Sequence, residues 1–428
     1  MAETQHTQLV CYTLLCILIM AILVKLKHMR ASASRLNLPP GPWVLPVIGH
    51  MHLLLGAIPY QAMHRLARQH GPVMLLRLGH VPTLVLSSAE AAREVMKVHD
   101  AAFAEPPRFR HVREEEAARL VLSVAGAGRI VNVGDMLKVM MNDVVMRASV
   151  GDRCVQRDAY LEELDRVLDL MSGFNLIDLF PASRLVRAIG GRALGATWEV
   201  HRRIHSIMDA MISDHRTAME GEDDNDAGCE QRGDILTTLL RFQMDGGIGG
   251  VALTNENISG VLFDLFAAGS ETTATTTIWA MSELMRSPHI MAAAQSEVRR
   301  VLHGKTEVTE ADIDGRLHYL QMVIKETFRD EKSWTNASEF MPKRFDGEKV
   351  DYGGTDFRFL PDGAGRRMCP GMMFGVSNIE MALASLLYHF DWKLPEGGNP
   401  ETLDMSEAYG ITARRRTELV LEATVFVP

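Results

Sequence analysis

A mainly α-helical fold with a small β portion, preceded by an N-terminal transmembrane helix, is what the 428-residue sequence predicts. Residues 9–24 form an uncharged apolar run of the kind that enters a bilayer. Apolar residues recur at helical spacing over most of the remaining chain, above all in 119–216, 258–284 and 372–390. Strand-like alternation is confined to Val73–Leu78, 83–86 and 418–427.

The apolar run is followed by Lys25, Lys27, Arg30 and Arg35, whereas the tail before it carries Glu3 and no Lys or Arg. Cations on the C-terminal side place the tail in the lumen and the body in the cytosol, and a snorkelling Lys25 extends the span to about 18 residues. A cleaved signal peptide is the competing reading, since Ala31-Ser-Ala33 imitates a cleavage site, but such peptides put their cations first. The expected organisation is an anchor with its basic flank at 1–30, a proline-rich strap at 31–50, and one domain over 51–428. Pro39, Pro40, Pro42 and Pro46 stiffen the strap into an extended segment that aims the body.

A hydrophobic content of 47% supports a large core, and a net charge of −9 without a basic block argues against a nucleic-acid binder. The five cysteines, Cys11, Cys16, Cys154, Cys229 and Cys369, are odd in number and show no C-x-x-C spacing, which points to neither a disulfide framework nor a zinc site. Along the chain, a hairpin at 73–86 leads to a helix at 90–98, and the helical region includes 160–171 and 198–215. The acidic, glycine-bearing stretch 219–233 reads as an exposed loop, and no internal repeat is present. Nucleotide, zinc-hydrolase and serine-hydrolase motifs fail: Arg299 stands where a phosphate loop before Gly304-Lys305-Thr306 needs glycine, Met368 breaks the dinucleotide pattern begun by Gly363 and Gly365, and neither H-E-x-x-H nor G-x-S-x-G occurs.

Cys369 lies in Phe359-Leu-Pro-Asp-Gly-Ala-Gly-Arg-Arg-Met-Cys-Pro-Gly371, just before the helical run Met372, Val376, Ile379, Leu383, Leu386, Leu387, Phe390. Pro370 needs no N–H where a helix starts, so the thiol sits at a helix N-terminus. Amide donors, the macrodipole, Arg366 and Arg367 all favour a thiolate there. A second feature interrupts the apolar helix 258–284, for which Thr254 is the expected N-cap. The run Ala268-Gly-Ser-Glu-Thr-Thr273 puts an acid and hydroxyls in a helix interior, where back-bonding hydroxyls are expected to open the helix for a small ligand and Glu271 with Thr272 to relay protons. A third is the i, i+3 pair Glu326 and Arg329 in the helix 317–329, which by itself reads as an ordinary ion pair.

Together these motifs resemble the plant-type microsomal cytochrome P-450 family. The cysteine turn is similar to its signature Phe-x-x-Gly-x-Arg-x-Cys-x-Gly through Gly365, Arg367, Cys369 and Gly371, and 268–273 is similar to its oxygen-activating motif. The resemblance implies a haem-thiolate monooxygenase fold, with Cys369 as axial ligand of haem b (iron protoporphyrin IX), Arg367 as a cofactor contact, and Glu271 and Thr272 as catalytic residues. It also implies a scaffold triad of Glu326, Arg329 and Arg344, a substrate-lining turn at 405–412, electrons from NADPH through the membrane-bound NADPH-cytochrome reductase, an apolar small-molecule substrate of plant secondary metabolism, and a single-pass position in the endoplasmic reticulum membrane.

Two departures accompany the resemblance. Asp362 stands where the family has the phenylalanine beside the thiolate. Segments of several dozen residues are missing near 107/108, with the family's Trp-x-x-x-Arg helix, and near 329/330, with strands that wall the substrate pocket; Trp198 and Arg202 reproduce the former spacing by coincidence. The rival expectation is therefore a membrane-anchored relic that binds haem weakly or not at all.

Overall fold

The computed structural model describes residues 39–427 except 46–47, 55–57, 80, 89–107, 152–155, 172–179, 181–182, 184–185, 187–190, 221–233, 248–251, 330–333, 337, 349 and 366–367. The expected anchor, the expected helix 90–98, most of the acidic stretch and Arg367 lie outside the described residues. Among the described residues no helix is long and apolar enough to cross a membrane. The chain divides into two units, residues 1–96 with 174–191, and residues 97–173 with 192–428.

In the first unit, α1 (Pro59–His70) leads into an antiparallel hairpin of β1 (Val73–Leu78) and β2 (Val81–Leu86), with Val73 opposite Leu86 and Leu78 opposite Val81. Alternation along β1 buries Met74, Leu76 and Leu78, which pack with Leu54, Ala62, Ala67 and Phe180. The proline strap is part of this unit. Leu75 N–H donates to Pro40 O at 2.9 Å, and a side chain at Gly41 would bring its Cβ to 2.3 Å from Leu75 O, so only glycine allows the approach. Arg77 N–H donates to His50 Nδ1 at 2.6 Å, which leaves the Nε2 proton to donate to Pro42 O at 2.9 Å.

The second unit is helical with one small sheet. Its helices are α2 (Arg108–Gly126), α3 (Val133–Val150), α4 (Arg157–Met171), α5 (Gly191–Glu220), α6 (Ile235–Met244), α7 (Asn255–Arg286), α8 (Pro288–Val301), α9 (Glu310–Ile313), α10 (His318–Thr327) and α11 (Met372–His389). Strands β3 (Ile130–Asn132), β4 (Phe390–Lys393) and β5 (Val420–Val425) form an antiparallel sheet in the order β3-β5-β4, with Val131 opposite Leu421 and Trp392 opposite Ala423. The apolar run after Cys369 thus turns to strand at Phe390.

Helix α7 organises the unit. Thr254 caps it, accepting from Asn257 N–H while Asn257 Oδ1 accepts from Thr254 N–H. Its N-terminal residues Ile258, Leu262 and Phe266 pack with Tyr160, Leu164, Met208, Ile212, Leu236 and Leu240. Its C-terminal residues Ala274, Ile278, Met281 and Leu284 enter the larger core formed with α2, α3, α8, α10 and α11. Each fully buried Leu, Ile or Met there contributes about 1.5–3 kcal/mol. The expected opening at 268–273 does not occur, and α7 runs unbroken. Ser270, Thr272 and Thr273 donate to Phe266 O, Ala268 O and Gly269 O at 2.5, 2.7 and 2.7 Å, so each hydroxyl finds an acceptor without disturbing the helix.

A buried cation links three helices. Arg113 of α2 is fully buried; its Nε donates to Asn378 Oδ1 of α11 at 2.6 Å, its Nη1 pairs with Glu310 of α9, and its guanidinium lies 5.5 Å from the centre of the Phe374 ring. Beside it, Arg147 of α3 donates to Glu115 and Glu116 at 2.6 Å each. Removing one partner of such a pair strands the other charge. Arg113→Met is expected to cost about 3–5 kcal/mol in urea unfolding, whereas Thr254→Ala, which removes a cap at the exposed start of α7, costs about 1 kcal/mol.

Candidate functional site

The turn before α11 is shaped by Gly363 and Gly365, both with φ in the left-handed region at 77° and 70°. It brings Cys369 N–H onto Asp362 O at 3.0 Å and leaves Cys369 exposed, the one free cysteine among the described residues. Gly371 precedes α11 beside the sulfur, a Cβ there falling 3.9 Å from Cys369 Sγ, and its N–H lowers the thiol's titration. The site thus combines an exposed sulfur, a backbone donor on it and a helix N-terminus, a set that suits a thiolate bound to one metal ion. The haem iron of the family fits this donor set, because a coordinating metal removes the thiol proton outright.

Asp362 works against the thiolate. Burial pushes the Cys369 thiol up, the Gly371 N–H pulls it back, and the charge of Asp362 and its hydrogen bond to the sulfur push it further up. Burial likewise pushes the Asp362 carboxyl up, partly offset by the same hydrogen bond. Both shifts favour the protonated forms of the two groups.

Helix α7 passes directly over the start of α11: a Cβ at Gly375 would sit 3.4 Å from Thr273 Oγ1. At 100° per residue Glu271 lies about 200° from Thr273, so it points away from α11. Its side chain is buried, and both oxygens are bound by Arg414, Nη2 to Oε2 at 2.7 Å and Nε to Oε1, while Thr412 and Thr275 hydroxyls donate to Oε1 at 3.1 and 3.2 Å. Burial alone would raise this carboxyl; the Arg414 hydrogen bonds and charge, with Thr412 and Thr275, override it and hold Glu271 below the ordinary carboxylate range. Thr272 is exposed, its hydroxyl donating to Ala268 O. The pair adjacent in sequence is therefore split between two environments.

The structure brings Glu326, Arg329 and Arg344 together. Glu326, fully buried, faces Arg329 Nε at 3.0 Å and accepts from Arg344 Nε at 2.8 Å and from Met341 N–H at 2.8 Å. Arg344 also donates to the carbonyls of Thr335, Asn336 and Glu339, the latter two at 3.0 and 2.9 Å. Burial pushes the Glu326 carboxyl up, and the Met341 N–H and both guanidiniums oppose it.

Sequence reasoning missed two features. Arg113 was hidden in a charge run, although it shares one helical face with Ala117, Leu120 and Val124. Glu380, on α11, accepts from Gln321 Nε2 at 3.2 Å and is pushed up to about 7, first by burial and then by the like charges of Asp314, Glu310 and Glu297. Between its ordinary value of 4.5 and about 7 the folded chain holds a proton that the unfolded chain has released, so stability falls as pH rises through that window. The loss levels off above about 7 at roughly 3 kcal/mol. In urea unfolding, Glu380→Gln is expected to match the parent near pH 4 and exceed it near pH 8.

Comparison with known proteins joins these features. The Cytochrome P450 family model matches residues 39–127, 122–330 and 328–420. The chain is similar to dolabradiene monooxygenase of Zea mays, 37% identical over 94% of this chain and 95% of the relative. It is similar to desmethyl-deoxy-podophyllotoxin synthase of Sinopodophyllum hexandrum, 35% identical over 96% of each. Premnaspirodiene oxygenase of Hyoscyamus muticus is 33% identical over 94% of this chain and 95% of that protein. The first of these alignments runs over 492 residues, more than the 428 of the whole chain, so that relative carries internal residues which this chain lacks. A family match across most of the sequence, meeting a mainly helical fold that presents an exposed thiol at the start of α11, shows that the chain belongs to the cytochrome P450 family, as a plant-type haem-thiolate monooxygenase that uses haem b and NADPH-derived electrons.

Proposed function

We propose that this chain is a shortened monooxygenase that inserts one atom of dioxygen into an apolar small molecule of plant secondary metabolism, held by an N-terminal single-pass helix at the endoplasmic reticulum membrane with its body in the cytosol. The observation that carries the reading is the exposed Cys369 sulfur with the Gly371 N–H on it at the start of α11. Cys369 would hold the haem iron as its axial thiolate and Arg367 would contact the cofactor; the haem, when bound, supplies dioxygen activation. Glu271 and Thr272 are assigned to proton delivery, the first as the acid of α7 and the second as its exposed hydroxyl. Glu326, Arg329 and Arg344 act as scaffold, tying α10 to the segment before the cysteine turn.

The uncharged run 9–24 with cations after it supports the anchor, and the reductase is assigned to the cysteine face because Arg366 and Arg367 adjoin Cys369 in sequence. The two missing segments are supported by the separate stretches of the family match, whose boundaries meet at 122–127 and 328–330. The second agrees with a join at 329/330, and the first lies beyond 107/108. The names of the relatives, dolabradiene monooxygenase and desmethyl-deoxy-podophyllotoxin synthase among them, favour an apolar substrate.

A second reading, a catalytically silent relic, is favoured by one observation, the Asp362 carboxyl hydrogen-bonded to Cys369. The reduced carbon monoxide difference spectrum of the full chain separates the two. A thiolate-type Soret band that disappears in Cys369→Ser supports the enzyme, whereas a colourless parent supports the relic. Asp362→Phe, which removes the carboxyl competing for the sulfur, is expected to raise haem occupancy several-fold, read as haem per protein.

A further inference from the structure

Helix α5 carries a cluster of rings that the proposed monooxygenase chemistry leaves unused. In Trp198-Glu-Val-His201-Arg-Arg-Ile-His205 the two histidines are at i, i+4 spacing and the tryptophan stands one turn before them, so the three rings follow one face of the helix. The His201 and His205 ring centroids are 4.2 Å apart, and the Trp198 ring lies 5.4 Å from that of His201. Two imidazoles bound to one ion through metal–nitrogen bonds of about 2.1 Å have centroids about 5 Å apart, so a small rotation of either ring admits a metal between them. His201 is exposed, and neither of its nitrogens has a hydrogen-bond partner among the described residues.

His205 is held from behind. Its Nδ1 lies 2.8 Å from Oγ of Ser259, a fully buried hydroxyl on α7. With the proton on Nδ1, the imidazole donates to that hydroxyl and Nε2 keeps its lone pair for a metal. The hydroxyl is then free to donate to its own preceding turn, as Ser270 does on the same helix. A partner on the far nitrogen is the usual device that orients a metal-binding imidazole.

The surroundings suit binding and not hydrolysis. Arg202 stands where a zinc protease of H-E-x-x-H pattern has its general base. Arg203, about 200° around the helix from both histidines, is turned to Glu163 of α4 and to Glu199, which offset its charge. Among the described residues no group of three or more His, Cys, Asp or Glu side chains converges to hold a metal, so water takes the other coordination positions. A site with only two nitrogens needs an ion with high affinity for imidazole, and the order of divalent affinities puts copper first.

We propose that His201 and His205 form a two-imidazole site for a borderline divalent transition-metal ion, Cu2+ before Zn2+, on the exposed face of α5, with Ser259 as the positioning residue for His205. The site shares no residue with the cysteine turn and does not depend on haem. Through His205 and Ser259 a bound ion is coupled to α7.

A Cu2+ titration of the full chain tests this, read as Trp198 emission from the difference between the parent and Trp198→Phe, with pulsed electron paramagnetic resonance counting the coordinated imidazoles. The quenching is expected to saturate at one ion per chain with two imidazoles bound, and Zn2+ to compete at higher concentration. His201→Ala and His205→Ala are each expected to weaken binding at least about tenfold and to leave one imidazole. Ser259→Ala is expected to weaken it about tenfold with the two-imidazole signature kept. Quenching that does not saturate, a single imidazole in the parent, or a His201→Ala chain that titrates like the parent overturns the site; an unchanged affinity in Ser259→Ala overturns the role of Ser259. Should His205→Ala or Ser259→Ala fail to fold, the parent and the exposed His201→Ala decide.

Discussion

The buried guanidinium of Arg113 is the constraint on which the arrangement around the thiol depends. A fully buried cation is tolerated only when its donors are met, and here the partners come from two other elements, Glu310 of α9 and Asn378 of α11. The pairing therefore fixes how α2, α9 and α11 meet. Asn378 is well into the second turn of α11, and Phe374 beneath the guanidinium is just over a turn closer to the cysteine. The start of α11, and with it the direction in which Gly371 offers its N–H, is set by a charge that lies outside the cysteine motif. The apolar packing of Leu383, Leu386 and Leu387 holds the helix in the core, but apolar contacts alone allow sliding and rotation that a bonded guanidinium does not.

Much of this was legible in the sequence wherever periodicity was long. The helices at 157–171, 191–220, 255–286 and 372–389 and the hairpin at 73–86 follow from spacing, and Thr254 declares its helix by cap chemistry. What was not legible depends on tertiary pairing. Arg113-Glu-Glu-Glu116 reads as a solvated charge run because sequence shows charges and not their burial, yet Arg113 and Glu116 are both inside. The hydroxyls of 268–273 offered two outcomes, opening the helix or bonding back to it, and only packing decides. Gly269 lets Val145 of α3 approach closely, with a Cβ there falling 3.1 Å from Val145 Cγ2, so α3 supports the backbone where an opening would have to form. Strand β3 was missed because its three residues are too few for an alternation to register; its partner β5 defines it.

At the candidate site the sequence offered Cys369 and the triad, of which the structure brings Glu326, Arg329 and Arg344 into contact, but it gave no partner for Glu271. Arg414 lies 143 residues away in a basic run, Arg414-Arg-Arg416, whose natural reading is a solvent-facing patch. The three arginines have different fates. Arg414 crosses to Glu271, Arg415 lies 5.6 Å over the Trp279 ring, and Arg416 donates to Glu407 O at 3.3 Å. A run of like charges is sorted by what each meets, and that information resides in α7.

The segment before the cysteine turn is held to α10 by the buried cluster of Glu326, Arg329 and Arg344. Glu326 and Arg329 precede the boundary of the family match at 328–330 or lie on it, and Arg344 follows. Arg344 is tied to three carbonyls on its own side of that boundary and to Glu326 on the other, so the triad spans it with charge-assisted bonds whose loss would leave Glu326 buried and unpaired. The first boundary falls inside α2, which continues to Gly126 with its regular bonds and passes Ser123 O to Ala127 N–H. Around both boundaries the core is continuous: Leu320, Val323 and Ile324 of α10 and Met281 and Leu284 of α7 lie in one cluster with Leu383, Leu386 and Leu387 of α11. The carboxyl of Asp362 acts inside the motif itself: after burial, its charge and its contact with Cys369 are the causes that favour the protonated thiol, and the Gly371 N–H opposes them.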